Sequence, residues 1–284
     1  MTINGTQLAK DIKEDVKKRV LEAKQKYGRE PHLVVILVGE DPASQSYVKG
    51  KSRDAEEVGF KNTTIYKPED TPEEEILDII RALNADDNVD GILVQLPLPS
   101  HIDEDKVIET IDKNKDVDGF HPANVAALWQ KRRCIYPCTP KGVIKLLENA
   151  EVEIQGKNAV VLGRSNIVGL PVSKMLLDKN ATVTIAHSRT KNLPDVASKA
   201  DILVVAIGKP KFVKENMVKE GAVVIDVGVN RDPETGKLCG DVDFDECASK
   251  ASVITPVPGG VGPMTRACLM ENTLECFLNK MNKK

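Results

Sequence analysis

The sequence predicts an α/β protein of two domains: an N-terminal parallel-sheet α/β domain and a C-terminal Rossmann-like domain, with the last helix packing back on the first. Three observations predict it. Continuous apolar runs recur along the chain, among them HLVVILVG (32–39), GILVQL (91–96), AVVLG (159–163), ILVVAIG (202–208) and AVVIDVG (222–228). Such runs suit strands buried on both faces of a parallel sheet. Segments with apolar residues at helical spacing lie between most of them. The alternation breaks once, over 112–142, at a cluster of turn signals: Asp118-Gly119, His121-Pro122, Tyr136-Pro137 and Thr139-Pro140. A boundary near 138 follows, giving a first domain of 1–138 plus 263–284 and a second of 139–262.

Taken in order, residues 6–27 set Leu8, Ile12, Val16, Val20 and Leu21 at helical spacing and stop at Gly28. HLVVILVG is the first buried strand. Residues 44–58 predict a helix ended by Gly59, and 62–66 a short strand. Thr71-Pro72-Glu73-Glu74 has the form of a capping box with proline at the first helical position, opening a helix to about Leu83. GILVQL is the next strand, stopped by Pro97 and Pro99. Beyond the boundary, Thr139 and Pro140 would cap a helix. The second series runs AVVLG, TVTIA (182–186), ILVVAIG, AVVIDVG and SVIT (252–255). Its intervals of roughly 20–30 residues leave room for a helix in most of them. PVPGGVGP (256–263) then turns into a final amphipathic helix over 263–279.

Composition excludes several classes. The chain has 284 residues, 41% hydrophobic and 29% charged, the profile of a soluble globular protein. A net charge of −3 gives no overall basic character for nucleic acid or an anionic membrane. The N-terminus is polar, without the apolar core of a signal peptide, and no run approaches the roughly 20 apolar residues that cross a bilayer. Six cysteines, at 134, 138, 239, 247, 268 and 276, form no Cys-x-x-Cys pair. They read as reduced thiols of a cytoplasmic protein, with no metal site.

The chemistry gathers at QGKNAVVLGRSNIVGLP (155–171). An apolar run stops at Gly163, and a helical pattern starts just beyond. Strand, glycine turn and helix open a nucleotide-binding unit, whose helix N-terminus offers unpaired N–H groups to a phosphate. The usual Gly-x-Gly-x-x-Gly is not met: Ser165 stands at the second glycine, Val168 at the third, and Gly169 comes one place late. Spacing alone leaves a dinucleotide site and a plain strand-turn-helix both open. The strand TVTIA is followed by His187-Ser188-Arg189-Thr190, with no carboxylate to hold a ribose 2′-hydroxyl. Arg164 adds a second guanidinium to Arg189. Solvated loop arginines are the plainer reading of each, but together at these two loops they favour the 2′-phosphate of NADP.

In the first domain, Tyr47 and Lys51 lie four apart on a predicted helix and share a face. Alone, such a lysine reads as a surface charge. Gln95 on an apolar strand needs partners for its amide, which neighbouring backbone could supply. Asp116 and Asp118 in KDVDGFHP read as turn formers, and His121 reads as structural.

Together, YVKGKSRDAEEVGF (47–60), GILVQLPLP (91–99), KDVDGFHP (115–122), PCTPKG (137–142), GRSNIVGLP (163–171) and PVPGGVGPMT (256–265) carry a resemblance. In order and spacing the chain, from about 3 to 280, resembles the bifunctional methylenetetrahydrofolate dehydrogenase/cyclohydrolase family, whose glycine loop is also of the Gly-x-Ser form. The resemblance implies oxidation of 5,10-methylenetetrahydrofolate by NADP, then hydrolysis of the methenyl product to 10-formyltetrahydrofolate, in one cleft between the domains. It implies Lys51 as the central catalytic group, Tyr47 lining and positioning the folate, Gln95 tuning the lysine, and Asp118 holding the pterin. Leu96, Pro258, Gly259 and Gly260 match folate contacts. Gly163, Arg164, Ser165, His187, Ser188, Arg189 and Val229, with Thr139 nearby, match cofactor contacts. Val229 stands where many relatives have isoleucine. The family pairs chains through the cofactor domain, which implies a homodimer. The formate-ligase domain of some relatives has no counterpart here. Two other readings are a dehydrogenase without the hydrolytic step and a catalytically silent NADP-binding regulator.

Overall fold

The computed structural model describes residues 1–283. The chain forms two compact units, one of Lys10–Cys138 with the chain from Arg266 onward, the other of Met1–Ala9 with Thr139–Thr265.

In the first unit, α1 (Gly5–Tyr27) leads to β1 (His32–Val38), buried at all seven positions, which explains its unbroken apolar run. α2 (Pro42–Glu57) opens with Pro42 in its first turn, and the Asp41 carboxylate accepts the Ser44 N–H at 2.7 Å. β2 (Lys61–Lys67), α3 (Glu73–Ala85) and β3 (Gly91–Val94) follow. The sheet order is β2-β1-β3, and both pairings are parallel. Successive β1 side chains face opposite ways. Leu33, Val35 and Leu37 join a core with Val16 and Val20 of α1, while Val34, Ile36 and Val38 join Ile76, Leu77 and Ile80 of α3.

Two short helices here carry no sequence-level period: α4 (Glu104–Thr110) and α5 (Pro122–Trp129). Their caps explain them. Asp103 accepts the N–H groups of Asp105 and Lys106, and Nδ1 of His121 accepts that of Ala123 at 3.0 Å. The capping box expected at Thr71 does not form. Pro72 is the N-cap of α3, without a side-chain bond, and Thr71 Oγ1 donates to the Pro68 carbonyl at 2.8 Å. Glu74, free of that role, pairs with Arg81. The C-terminal end of α3 is closed by Lys115, whose buried ammonium donates to the carbonyls of Leu83, Asn84 and Asp86.

In the second unit, α6 (Cys138–Asn149), β4 (Asn158–Leu162), α7 (Gly169–Asp178), β5 (Thr182–Ala186), α8 (Leu193–Ala197) and β6 (Ile202–Val205) alternate. α6 starts one residue before Thr139, so Thr139 is no cap; its hydroxyl lies 2.9 Å from that of Thr265. After β6 the helices shrink. A 3-10 turn at Glu215–Met217 precedes β7 (Val223–Asp226). A two-stranded ladder, β8 (Asn230–Arg231) with β9 (Leu238–Cys239), and the four-residue α9 (Phe244–Cys247) lead to β10 (Val253–Ile254). The order β10-β7-β6-β4-β5 is parallel throughout. Strand order reverses between β4 and β6, the place where ligands enter doubly wound sheets. Residues 1–9, placed with the first domain by the sequence, sit here instead: Ile3 N–H donates to Ile254 O and Ile254 N–H to Met1 O, both at 3.0 Å.

α10 (Val261–Met281) starts in this unit and ends in the first. There Cys268, Leu269, Leu274 and Phe277 join the α1 core, with Phe277 edge-on to Tyr27 at 5.8 Å between centroids. All six cysteines are buried, and among the described residues no helix is long and apolar enough to cross a membrane.

Two buried carboxylates tie the second sheet's loops together. Asp241 accepts the N–H groups of Ile207, Gly208 and Lys209, just past β6, and the Asn230 amide. Asp226, the last residue of β7, accepts those of Gly228, Asp241 and Val242. Burial pushes the Asp226 carboxyl up to about 7. Asp241→Ala leaves three main-chain donors without their acceptor, and is expected to destabilise the protein by about 2–4 kcal/mol in denaturant unfolding.

Candidate active site

In the first unit the site is built where β1 and β3 end. Gln95 directly follows β3, and its N–H still donates to Ile36 O at 2.9 Å, holding the backbone in ladder geometry past the last strand residue. Its side chain therefore projects from a fixed position. Lys51 comes from α2, which follows β1, and Nζ donates to Gln95 Oε1 at 2.9 Å. The Gln95 amide turns its nitrogen to Leu96 O at 2.6 Å. Both ends of the amide are thus engaged, and only the oxygen is offered to the lysine. Tyr47, one helical turn before Lys51, is 41% exposed, and its hydroxyl is pushed up by burial and pulled back by the Arg266 charge.

Asp118 is held by the turn around it. The buried Asp116 carboxylate accepts the N–H groups of Gly119, Phe120 and His121 and the Asn124 amide. Gly119, at φ +74°, packs so closely on 135–137 that a Cβ there would lie 2.7 Å from Ile135 O. Asn272 anchors the same region by donating to the carbonyls of Val117 and Tyr136. Burial pushes the Asp118 carboxyl up to about 6, the Lys51 charge pulls it down, Asp116 pushes it up, and the nearby Cys138 side chain pulls it down. Lys51, Gln95 and Asp118 therefore form one electrostatic cluster. Cys138, read from sequence as a plain thiol, belongs to it.

In the second unit the glycine loop shows why its spacing is unusual. Gly163 has φ +121°, and a Cβ on it would lie 2.1 Å from Ala206 O. The chain ends of β4 and β6 touch there, and only glycine permits it. Gly169, one place later than the motif expects, would put a Cβ 2.4 Å from Gly163 O. Ser165 Oγ accepts the N–H groups of Val168 at 3.2 Å and Gly169 at 3.3 Å, which shapes the extra residue of the loop. Arg164, Ser165, Ser188 and Arg189 are exposed. Their neighbour His187 is a turn former: its N–H donates to Thr190 Oγ1, and its Nδ1 accepts the Arg189 N–H. Val229 is 46% exposed, in the loop fixed by Asp226 and Asp241.

Pro258, Gly259 and Gly260 also belong to this unit. Gly259 has φ +104° and its carbonyl accepts the Thr6 N–H at 3.1 Å, while Gly260 lies against Gly5. The N-terminal residues therefore brace this turn. Asp226 and Asp241 escaped the sequence reading. Their signal was the glycines beside them, since a Cβ at Gly240 would lie 1.8 Å from Asp226 Oδ2.

Known proteins resemble the chain over nearly its whole length. Residues 3–118 match the model of the tetrahydrofolate dehydrogenase/cyclohydrolase catalytic domain, and residues 137–281 that of its NAD(P)-binding domain. The chain is 54% identical over 280 residues to the bifunctional protein FolD of Streptococcus uberis, covering 99% of this chain and 98% of that one. It is 56% identical over 273 residues to the FolD of Listeria innocua, covering 96% and 95%. Among solved structures, the FolD methylenetetrahydrofolate dehydrogenase/cyclohydrolase of Campylobacter jejuni superposes with a TM-score of 0.96 at 49% identity, over 98% of this chain and 99% of that one. The Trypanosoma brucei enzyme, complexed with NADP cofactor and inhibitor, gives 0.95 at 40%, over 99% and 98%.

Gly163→Ala is expected to cost about 2–4 kcal/mol in urea unfolding, because it combines a disfavoured φ with a backbone collision.

Proposed function

The chain belongs to the tetrahydrofolate dehydrogenase/cyclohydrolase family and carries its two activities, and we propose that Lys51 serves both steps, with NADP as the hydride acceptor. In the first, 5,10-methylenetetrahydrofolate becomes the 5,10-methenyl cation. In the second, water adds to that cation and its ring opens to 10-formyltetrahydrofolate. The observation that carries the reading is the Lys51–Gln95 hydrogen bond, with the Asp118 charge acting on the same ammonium.

The residues present fit a dinucleotide. Gly163 and Gly169 allow close backbone approach at the strand-order reversal, and α7 presents its N-terminus there. Arg164, Ser165, Ser188 and Arg189 would hold the phosphates, with His187, Val229 and Thr139 beside them. No carboxylate stands among 187–190 to favour a free 2′-hydroxyl. The nicotinamide, when bound, accepts the hydride.

The chain's own residues do the rest. Tyr47, Leu96, Pro258, Gly259 and Gly260 contact and orient the folate. Lys51 changes role with its proton. Charged, it donates to Gln95 Oε1. Beside a methenyl cation a second positive charge is disfavoured, so the amine loses its proton and becomes a base toward water. Gln95 keeps Nζ in place, since its oxygen accepts from the amine as well as the ammonium. Asp118, ionised, accepts two N–H bonds from the aminopterin edge.

We further assign a homodimer through the cofactor domain. β5 supports it, as an edge strand of the five-stranded sheet whose outer backbone side no strand covers. A scattering mass of one chain at micromolar concentration would remove the dimer. A cytoplasmic setting suits six buried cysteine thiols.

Two outcomes test the mechanism. Lys51→Met is expected to slow hydrolysis of added methenyltetrahydrofolate by about 100-fold or more while NADP binding, read by titration calorimetry, stays intact; undiminished hydrolysis would take Lys51 out of the reaction. The second outcome concerns pH. Asp118 ionises near pH 6, so its grip on the pterin is present above that value and lost as pH falls through it. KM for folate should rise about tenfold per unit below pH 6, and Asp118→Asn should raise KM and flatten the profile.

A further inference from the structure

The end of β6 meets the glycine loop directly, because Gly163 packs against the Ala206 carbonyl. Ile207, Gly208 and Lys209 therefore border the place where strand order reverses. Their three N–H groups all turn to one side chain. Oδ2 of Asp241 accepts from Ile207 at 2.7 Å and Gly208 at 3.0 Å, and Oδ1 accepts from Lys209 at 2.8 Å. In a trans peptide the carbonyl points away from its N–H. The Ala206, Ile207 and Gly208 carbonyls thus face away from Asp241. A Cβ on Gly208 would meet nothing within 4 Å among the described residues. One edge of this segment is fixed, and the other is open.

The loop after the neighbouring strand β7 is held by the same carboxylate. Asn230, next to Val229, donates its amide to Asp241 Oδ1 at 2.8 Å. Asp226 accepts the Gly228 N–H at 2.9 Å, and also the N–H of Asp241 itself at 3.0 Å. The Asp241 carbonyl accepts the Val213 N–H at 2.9 Å. Gly228 makes room for this, since a Cβ there would lie 2.3 Å from the Asp241 carboxyl carbon. Four donors from two loops converge on a side chain of a residue that is 0% exposed, itself seated on one that is 3% exposed.

We propose, resting on the NADP reading above, that Asp241 seated on Asp226 is a positioning residue for the cofactor. It sets the pose of 206–209 and 228–230, and through them the affinity for NADP, without touching the dinucleotide. Both side chains are buried, so any effect they have on affinity passes through the loops. Charge and positioning give opposite signs. NADP is a polyanion, so loss of a nearby carboxylate would by charge alone tighten its binding. Loss of the loop's acceptor weakens it.

The test uses the full-length protein as wild type, Asp241→Asn and Asp226→Asn. Each replacement keeps the shape of the side chain and one acceptor oxygen, but turns an amide nitrogen toward N–H donors. Asp226→Asn is the milder, because burial already pushes that carboxyl up to about 7. NADP affinity is read by titration calorimetry and by KM. Hydrolysis of added methenyltetrahydrofolate, which consumes no cofactor, is measured without NADP. Asp241→Asn should raise Kd and KM for NADP about tenfold or more, and Asp226→Asn about threefold. The folate KM, kcat at saturating NADP and hydrolysis should stay within about twofold of wild type. Unchanged or tighter NADP binding in Asp241→Asn overturns the role. So does a parallel loss of hydrolysis in either variant that still melts cooperatively, which would make the pair a general support of the fold. Should Asp241→Asn fail to fold, Asp226→Asn decides: the same split upholds the role, and unchanged affinity overturns it. A wild type that neither binds NADP nor reduces it overturns the cofactor reading itself, and the role with it.

Discussion

Buried carboxylates that gather main-chain N–H groups are the constraint on which the rest of this structure depends. A parallel strand leaves its sheet with donors still unpaired, and a loop that buries them must supply acceptors. This chain supplies them with aspartates. Asp116 collects the turn that carries Asp118, Asp241 the segment after β6, and Asp226 the segment after β7. Asp90 does the same at the start of β1, accepting the His32 N–H while Arg29 neutralises it with two bonds. In the first unit Asp118 stands on a turn held in this way, and in the second Val229 does.

The cost of that arrangement shows in the electrostatics. Ionised carboxylates out of water are unfavourable unless their partners are well placed. Asp226, with three N–H donors, is still pushed toward neutrality by burial and by Asp241 beside it. Asp118 has fewer donors and keeps its charge mainly through Lys51. The Lys51 charge therefore lowers a carboxyl that burial alone would raise further, so the protonation of Asp118 depends on the lysine beside it.

Much of this fold was legible because it obeys simple periods. β1 and β4 announce themselves as apolar runs because they are buried on nearly every side, and α1 and α10 as long helical patterns. Short elements were not legible. α4 and α5 run for seven and eight residues, too few for a period, and exist because Asp103 and His121 cap them. Thr71 matched a capping sequence, yet its hydroxyl found a carbonyl closer by. The sequence places residues 1–9 with the first domain; the pairing of Met1 and Ile3 to Ile254 is a contact at long range that no local pattern encodes. The site follows the same rule. Helical spacing set Tyr47 and Lys51 on one face, but the bond to Gln95 spans forty-four residues and only the fold makes it. The serine of the glycine loop looked like a defect in a motif. It is instead an acceptor for Val168 and Gly169, and Gly169 comes late because the loop is one residue longer.

The six thiols have a consequence for how this molecule can be watched. Every one is buried, and burial pushes Cys247 up to about 12. A thiol reagent in solution reaches them only when the surrounding structure opens, so the labelling rate counts openings rather than surface exposure. The thiols are distributed over both sheets' surroundings: Cys138 beside Asp118, Cys268 and Cys276 against α1, and Cys247 under the second sheet. The chain thus contains its own set of clocks, one for the breathing of each core.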